Sequence, residues 1–213
     1  MHELLASSIE QYIAQHTSAE PPHLAALNRS THLKAMLPHM LSGHVQGRVL
    51  SMISHMVRPM RILEIGTYTG YSALCLAEGL QTGGRLITID INEELNAMVH
   101  RSVTAAGMQD RIDVRIGNAA DIIPHLEGYF DLVFIDADKI RYALYFDLVI
   151  ERVPLGGYIL ADNVLWSGKV LNAHKDKDTA AIDAFNKKVH ADPRVEVVIL
   201  SVRDGITLMR KVV

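Results

Sequence analysis

Asp136, Asp162 and Asn163 carry the first chemical signal in this chain of 213 residues. Asp136 ends the apolar run Leu132-Val133-Phe134-Ile135, and Asp162-Asn163 ends the run that begins at Tyr158. Two carboxylates and one amide oxygen, with neither Cys nor His among them, make a hard oxygen set. Such a set suits Mg²⁺, with Mn²⁺ or Ca²⁺ as alternatives, and not tetrahedral zinc. The competing reading is local: Asp136 or Asp138 caps a helix that begins near Lys139, and Asn163 makes a turn. Lys139 follows Asp136 by three residues. A cation at a helix start opposes the helix dipole, so helix stability does not explain it. Beside a metal and a positively charged donor, an amine is pushed toward its neutral form, which suits a general base.

A second cluster lies upstream, in Glu64-Ile65-Gly66-Thr67-Tyr68-Thr69-Gly70. A nicotinamide dinucleotide calls for G-x-G-x-x-G, with pyrophosphate on the helix N-terminus. This loop is E-x-G-x-x-x-G, and an acid before the turn serves a pyrophosphate poorly. It suits a ligand with a cationic end, such as the amino group of a methionine moiety. Asp90 closes the next strand, placed to accept hydrogen bonds from both ribose hydroxyls. Any strand-glycine-helix turn shares the two glycines. Glu64 and Asp90 together favour S-adenosylmethionine over NAD.

These residues need a scaffold that brings strand ends together. From residue 61 onward, short apolar strands alternate with helices: strands at Arg61–Gly66, Arg85–Ile91, Arg111–Gly117, Leu132–Ile135 and Tyr158–Asp162, with helices from Gly70, around Leu95, Val99 and Val103, and from Lys139. That alternation specifies a parallel sheet covered on both faces. Arg194–Val202 and Ile206–Val213 are joined across Asp204-Gly205, a tight-turn signal, so the last strand runs antiparallel. The expectation is an α/β, doubly wound, Rossmann-like sheet, mostly parallel with an antiparallel C-terminal strand.

Residues 1–57 read as helices only, a helical N-terminal part of one domain spanning 1–213. Leu4, Leu5, Ile9, Tyr12 and Ile13 share one helical face, and Val45, Val49, Met52, Ile53 and Met56 form a second stripe.

Composition narrows the function classes. Apolar residues make up 49% and charged residues 21%, a globular balance rather than a disordered one. A net charge of −3 argues against bulk electrostatic binding of nucleic acid. The single cysteine, Cys75, excludes an intrachain disulfide and fits a reducing compartment. No apolar run is long enough to span a membrane, and the start Met1-His2-Glu3-Leu4-Leu5 lacks a secretory pattern, so the expected setting is the cytoplasm. The histidines show no paired spacing that would hold a metal.

Four stretches, Leu63–Ser72, Phe134–Lys139, Ala161–Val164 and Asp204–Leu208, together resemble the class I, S-adenosylmethionine-dependent, cation-dependent O-methyltransferases, in a bacterial-type form. This is the group that includes catechol O-methyltransferase and plant caffeoyl-CoA O-methyltransferase. The resemblance implies methyl transfer to a hydroxyl of a phenolic, catechol-like small molecule. It implies that Asp136, Asp162 and Asn163 hold the divalent cation, beside which the position of Lys139 next to Asp136 makes the pair the expected catalytic residues, with Lys139 as the base. It also implies that Glu64, Gly66, Tyr68, Ser72, Asp90 and Asp136 surround the cofactor, with Ser42 and Ala119 lining the same pocket and Asp121 capping a helix. Relatives are often dimers, and the apolar Leu4, Leu5 and Ile9 fit a homodimer.

Two positions depart from the family pattern. Many relatives have an acid before the glycine at Gly47, where this chain has Gln46. The carboxylate with which catechol O-methyltransferase grips the second hydroxyl is replaced, by spacing back from Asp204-Gly205, by Val198. A second substrate reading keeps the chemistry and takes a hydroxylated uridine in tRNA. Lys169, His174, Lys175 and Lys177 would meet its phosphates, against the simpler reading of a solvated loop. Trp166 either walls the acceptor site or covers the sheet edge. A silent cofactor-binding scaffold is the reading from another class, and the intact acid-amide set argues against it.

Overall fold

The computed structural model describes residues 2–213, with side chains from Ser8 onward. Leu4 and Leu5, assigned above to an apolar helical face, lie outside the residues whose side chains are described.

Seven strands form one sheet: β1 (Arg61–Ile65), β2 (Arg85–Asp90), β3 (Ile112–Ile116), β4 (Leu132–Ile135), β5 (Tyr158–Asp162), β6 (Val195–Leu200) and β7 (Ile206–Lys211). Their spatial order is β3-β2-β1-β4-β5-β7-β6. The first five run parallel, and β7 lies antiparallel to both β5 and β6. The doubly wound expectation holds, and the strand order reverses between β1 and β4. Both strands are buried on both faces, so they read as continuous apolar runs rather than alternating ones.

The period-two rule still sorts their side chains. Leu63, Ile65, Val133 and Ile135 face one core, and Ile62, Leu132, Phe134 and Leu160 face the other. The first core is closed by α6 (Ala119–Ile122), α7 (Tyr142–Ile150) and α8 (Lys177–Ala191). The second is closed by α2 (Pro22–Lys34), α3 (Gly43–Val57), α4 (Tyr71–Ala77) and α5 (Asn96–Ala105). Each fully buried branched or aromatic side chain contributes about 1.5–3 kcal/mol through removal of apolar area from water. The helix α1 (His2–Gln15) lies against α3. Among the described residues, no helix is long and apolar enough to cross a membrane.

The apolar stripe expected on α3 is corrected by the structure. Met52 and Met56 are exposed, and the buried face is Gln46, Gly47, Leu50, Ser51, Ile53 and Ser54. Close packing on α4 explains this. A Cβ on Gly47 would stand 2.6 Å from the Tyr71 ring and 2.9 Å from Cys75 Sγ, so the contact selects small residues over large apolar ones. Ile9, Tyr12 and Ile13 on α1 are likewise exposed.

Candidate active site

The site is built on the carboxyl ends of β1, β2, β4 and β5, where the strand order switches. In open α/β sheets this crevice is the place for a ligand. A cavity of about 880 Å³ opens there, walled by Gly66, Tyr68, Asp90, Ala119 and Asp136, with Leu37 and Met40 along its outer edge.

Gly66 shapes its floor. The residue has φ 102°, and a Cβ there would lie 1.9 Å from the Asp136 carbonyl oxygen. Only glycine lets the loop after β1 pass so close to the end of β4. Gly70, at φ 88°, then turns the chain into α4.

Asp90 accepts the Tyr68 backbone N–H at 2.7 Å and the Asn92 N–H at 2.9 Å, one on each carboxylate oxygen. The second lone pair of each oxygen stays available to a ligand. Tyr68, itself at φ 48°, donates its hydroxyl to the Leu37 carbonyl at 2.9 Å, which joins the loop to the outer wall.

Glu64 is fully buried behind this wall. Thr88 donates its hydroxyl to Glu64 Oε2 at 2.5 Å. That proton is then committed, so Thr67, 2.5 Å away, donates to Thr88 in turn. Oε1, however, is buried with no hydrogen-bond partner among the described residues. Burial pushes the carboxyl up to about 8, with the charges of Asp136 and Asp90 adding to the effect. An orphaned buried oxygen of this kind is costly unless a ligand completes it. Ser42 and Ser72 are buried beside the cavity rather than on its wall.

Asp136, Lys139, Asp162 and Asn163 come together at the neighbouring ends of β4 and β5. Lys139 Nζ donates to Asp136 Oδ1 at 2.8 Å, to Asn163 Oδ1 at 2.9 Å and to the Tyr142 hydroxyl at 2.5 Å. All three ammonium protons are thereby used. Asp162 accepts the Asn163 N–H on Oδ1 at 2.8 Å and the Gln46 amide on Oδ2 at 2.6 Å. Burial and the neighbouring charge of Asp136 push Asp162 up to about 7. Tyr142 is fully buried, packed edge-on against Phe185 at 5.4 Å, and donates its hydroxyl to the Asp162 carbonyl at 3.0 Å. Burial and the charges of Asp136 and Asp162 raise this phenol well above its usual range, so it stays a hydroxyl.

Several local expectations are settled here. Lys139 opens a 3-10 turn, Lys139–Arg141, and the α-helix begins only at Tyr142. Asp138, not Asp136, caps that turn by accepting the Ile140 N–H at 3.2 Å. Asn163 is indeed a turn residue, at φ 59°. Asp121 does not cap α6: Asn118 does so, accepting the Ala120 N–H at 3.1 Å, and donates to Asp121 at 3.0 Å. Trp166 packs partly buried against the core beneath the sheet and is not on the cavity wall. The register puts Leu200 level with Asp162, leaving Val198 further along the half-exposed edge strand. In the basic loop, Lys169, His174 and Lys177 are exposed, while Lys175 is paired with Asp183.

Sequence reasoning missed Tyr142 and the weight of Gln46. Tyr142 had a signal, its spacing three residues after Lys139. Gln46 meets Asp162 across a long stretch of chain and had none.

The model of a family described as O-methyltransferase matches residues 14–212 of this chain. The chain belongs to the O-methyltransferase family. The O-methyltransferase is 35% identical over 223 residues to the caffeoyl-CoA O-methyltransferase of Eucalyptus gunnii, covering 98% of this chain and 89% of that one. With the enzyme of the same name from Petroselinum crispum it shares 34% over 224 residues, covering 98% and 92%. Its fold matches the SAH-bound methyltransferase of Podospora anserina with a TM-score of 0.91 at 29% identity, covering 99% and 97%. The Streptomyces achromogenes O-methyltransferase involved in tomaymycin synthesis, solved with SAM, matches with a TM-score of 0.89 at 27% identity, covering 97% and 96%.

Proposed function

We propose that this O-methyltransferase moves the methyl group of S-adenosylmethionine to a hydroxyl of a small catechol-like acceptor, assisted by a divalent cation, Mg²⁺ foremost, at Asp136, Asp162 and Asn163. One observation carries the reading. The oxygen-bearing side chains at the ends of β4 and β5 already gather around a single positive charge, the Lys139 ammonium, at the edge of the cavity. Two carboxylates there share that one charge, and burial disfavours the ionised form of Asp162. A hard, oxygen-only donor set of this kind fits Mg²⁺, Mn²⁺ or Ca²⁺.

The cofactor assignment is supported by Glu64 and Asp90. The unpartnered Oε1 of Glu64 suits the ammonium of a methionine moiety, and the Asp90 carboxylate suits a ribose diol. The solved relatives with SAH or SAM bound support the same choice. Gly66, Tyr68 and Ala119 would complete the binding surface, with Ser42 and Ser72 buried behind it.

S-adenosylmethionine supplies an already activated methyl group, and a bound cation would acidify the acceptor hydroxyl. The protein's own work is alignment and proton removal. Glu64 and Asp90 fix the two ends of the cofactor. Asp136, which faces both the cavity and Lys139, joins the two half-sites. As a neutral amine, having first released one proton, Lys139 would take the hydroxyl proton on Nζ, with the Tyr142 hydroxyl and Asp136 holding it in place. Holding both reactants at contact distance removes up to about 7–11 kcal/mol of entropic barrier.

The curated relatives named for caffeoyl-CoA support a small phenolic acceptor. An assay with small catechols, caffeoyl-CoA and hydroxylated tRNA, each with Mg²⁺, tests this. Methylated catechol or caffeoyl product is expected, and methyl label on RNA alone would replace the reading.

We also propose a homodimer, supported by exposed Ile9 and Tyr12 on α1 and by exposed Met52 and Met56 on α3. Sedimentation of a 23.6 kDa species at micromolar concentration would refute it.

A further inference from the structure

We infer that Arg203 is a positioning residue for the cofactor: it locks residues 39–42, at the outer edge of the cofactor cavity, to the turn between β6 and β7. The inference rests on the cofactor reading given above.

Arg203 stands in that turn with φ 48°, a left-handed backbone that non-glycine residues rarely adopt. From there its guanidinium reaches the segment that leads into α3. Nη1 donates to the Leu41 carbonyl at 2.6 Å and, by a shorter contact, to the Ser42 carbonyl. Longer contacts of 3.5 Å run to the His39 carbonyl and to Gln46 Oε1. One planar fork of donors therefore spans a short irregular segment that has only a single 3-10 turn, Pro38–Met40, to hold it. Met40 and Leu37 of this segment line the cavity, and the Leu37 carbonyl receives the Tyr68 hydroxyl from the floor.

The same turn grips the other side of the site. Asp204 Oδ1 accepts the Ser167 N–H at 2.5 Å, and the Asp204 and Gly205 carbonyls accept the N–H groups of Leu165 and Val164 at 2.9 and 3.2 Å. Those residues directly follow Asp162-Asn163. Gln46 closes the circuit: its oxygen faces the Arg203 cation while its nitrogen donates to Asp162 at 2.6 Å. An amide can face a cation and donate to a carboxylate at once, whereas an ionised acid at this position would have no proton to donate. Arg203 thus couples the cofactor edge to the strand end that carries Asp162.

A purely structural arginine would lower stability without singling out the cofactor. A positioning arginine affects cofactor affinity first. The test is calorimetric binding of S-adenosylhomocysteine (SAH) to the full-length wild type, Arg203→Met and Arg203→Lys, with thermal unfolding and steady-state kinetics on the same samples. Arg203→Met is expected to weaken SAH binding at least about ten-fold and to raise KM for S-adenosylmethionine by a similar factor, with a smaller change in kcat, as befits loss of charge-assisted hydrogen bonds. Arg203→Lys, which keeps one charged donor, should fall between. If Arg203→Met does not fold, hydrogen exchange on Arg203→Lys decides. Faster exchange concentrated at residues 36–42 supports the inference, and an unchanged pattern overturns it. Wild type that binds SAH while folded Arg203→Met binds within about two-fold of it overturns this inference alone. Wild type that does not bind SAH overturns the cofactor reading and this inference with it.

Discussion

Lys139 Nζ lies 2.8 Å from Asp136 Oδ1, in a partly buried ion pair between residues three apart. The pair does more than join two neighbours. It places the amine of the cluster between Asp136 on the cavity wall and the Asp162-Asn163 end of β5. Asp136 is shared between the Lys139 ion pair and the cavity wall.

Replacing Lys139 therefore separates chemistry from binding. Lys139→Met should lower turnover by about 10²–10⁴, the range for a positioned general base. SAH affinity should hardly change, since the cofactor contacts lie on other loops. The loss should be smaller for a catechol whose hydroxyl is already acidic. Near-normal turnover on a less acidic acceptor would reduce Lys139 to a wall residue.

Asp90 offers the reverse separation. Its two oxygens are held by the N–H groups of Tyr68 and Asn92, which aim the carboxylate into the cavity. Asp90→Ala should weaken SAH binding by about 1.5–3 kcal/mol, as for hydrogen bonds to a charged group. Titration calorimetry reads this directly, and an unchanged dissociation constant would place the ribose elsewhere.

Much of this was legible in the sequence because chemistry and periodicity coincide at strand ends. Ile62-Leu63 and Leu132–Ile135 announce buried parallel strands, and each is followed at once by an acid of the candidate site, Glu64 or Asp136. Gly66 and Gly70 mark the turn from β1 into α4. What stayed hidden has physical reasons. Gln46 meets Asp162 across 116 positions and Arg203 meets Leu41 across 162, and such contacts leave no periodic trace. The stripe Met52, Met56 looked like a core face because apolar spacing cannot reveal that Gly47 and Ser54 draw α3 close to α4. Lys139 looked like a helix start, yet Asp138 caps a 3-10 turn there first.

Glu64 gives the account a pH signature. Burial holds its carboxyl near 8, against an ordinary value of 4.5. Between those values the folded chain keeps a proton that the unfolded chain has lost. The contribution to stability is therefore full below about 4.5 and fades as pH rises toward 8. Glu64→Gln should remove this fading, so the variant gains on the wild type as pH rises through that window. A ligand ammonium favours the carboxylate, so SAH binding within the window should release a proton from Glu64. Calorimetry in buffers of different ionisation enthalpy measures the release, and Glu64→Gln should abolish it. Proton uptake by the wild type would contradict the pairing.

The most direct test of cation-assisted methyl transfer is turnover on a small catechol after exhaustive chelation, followed by Mg²⁺ add-back, with SAH binding measured on the same protein. Chelation should abolish turnover, Mg²⁺ should restore it, and SAH should bind in both states. Asp162→Ala should resemble the chelated wild type and resist rescue at Mg²⁺ levels that saturate the wild type. Full turnover in excess chelator would contradict the account.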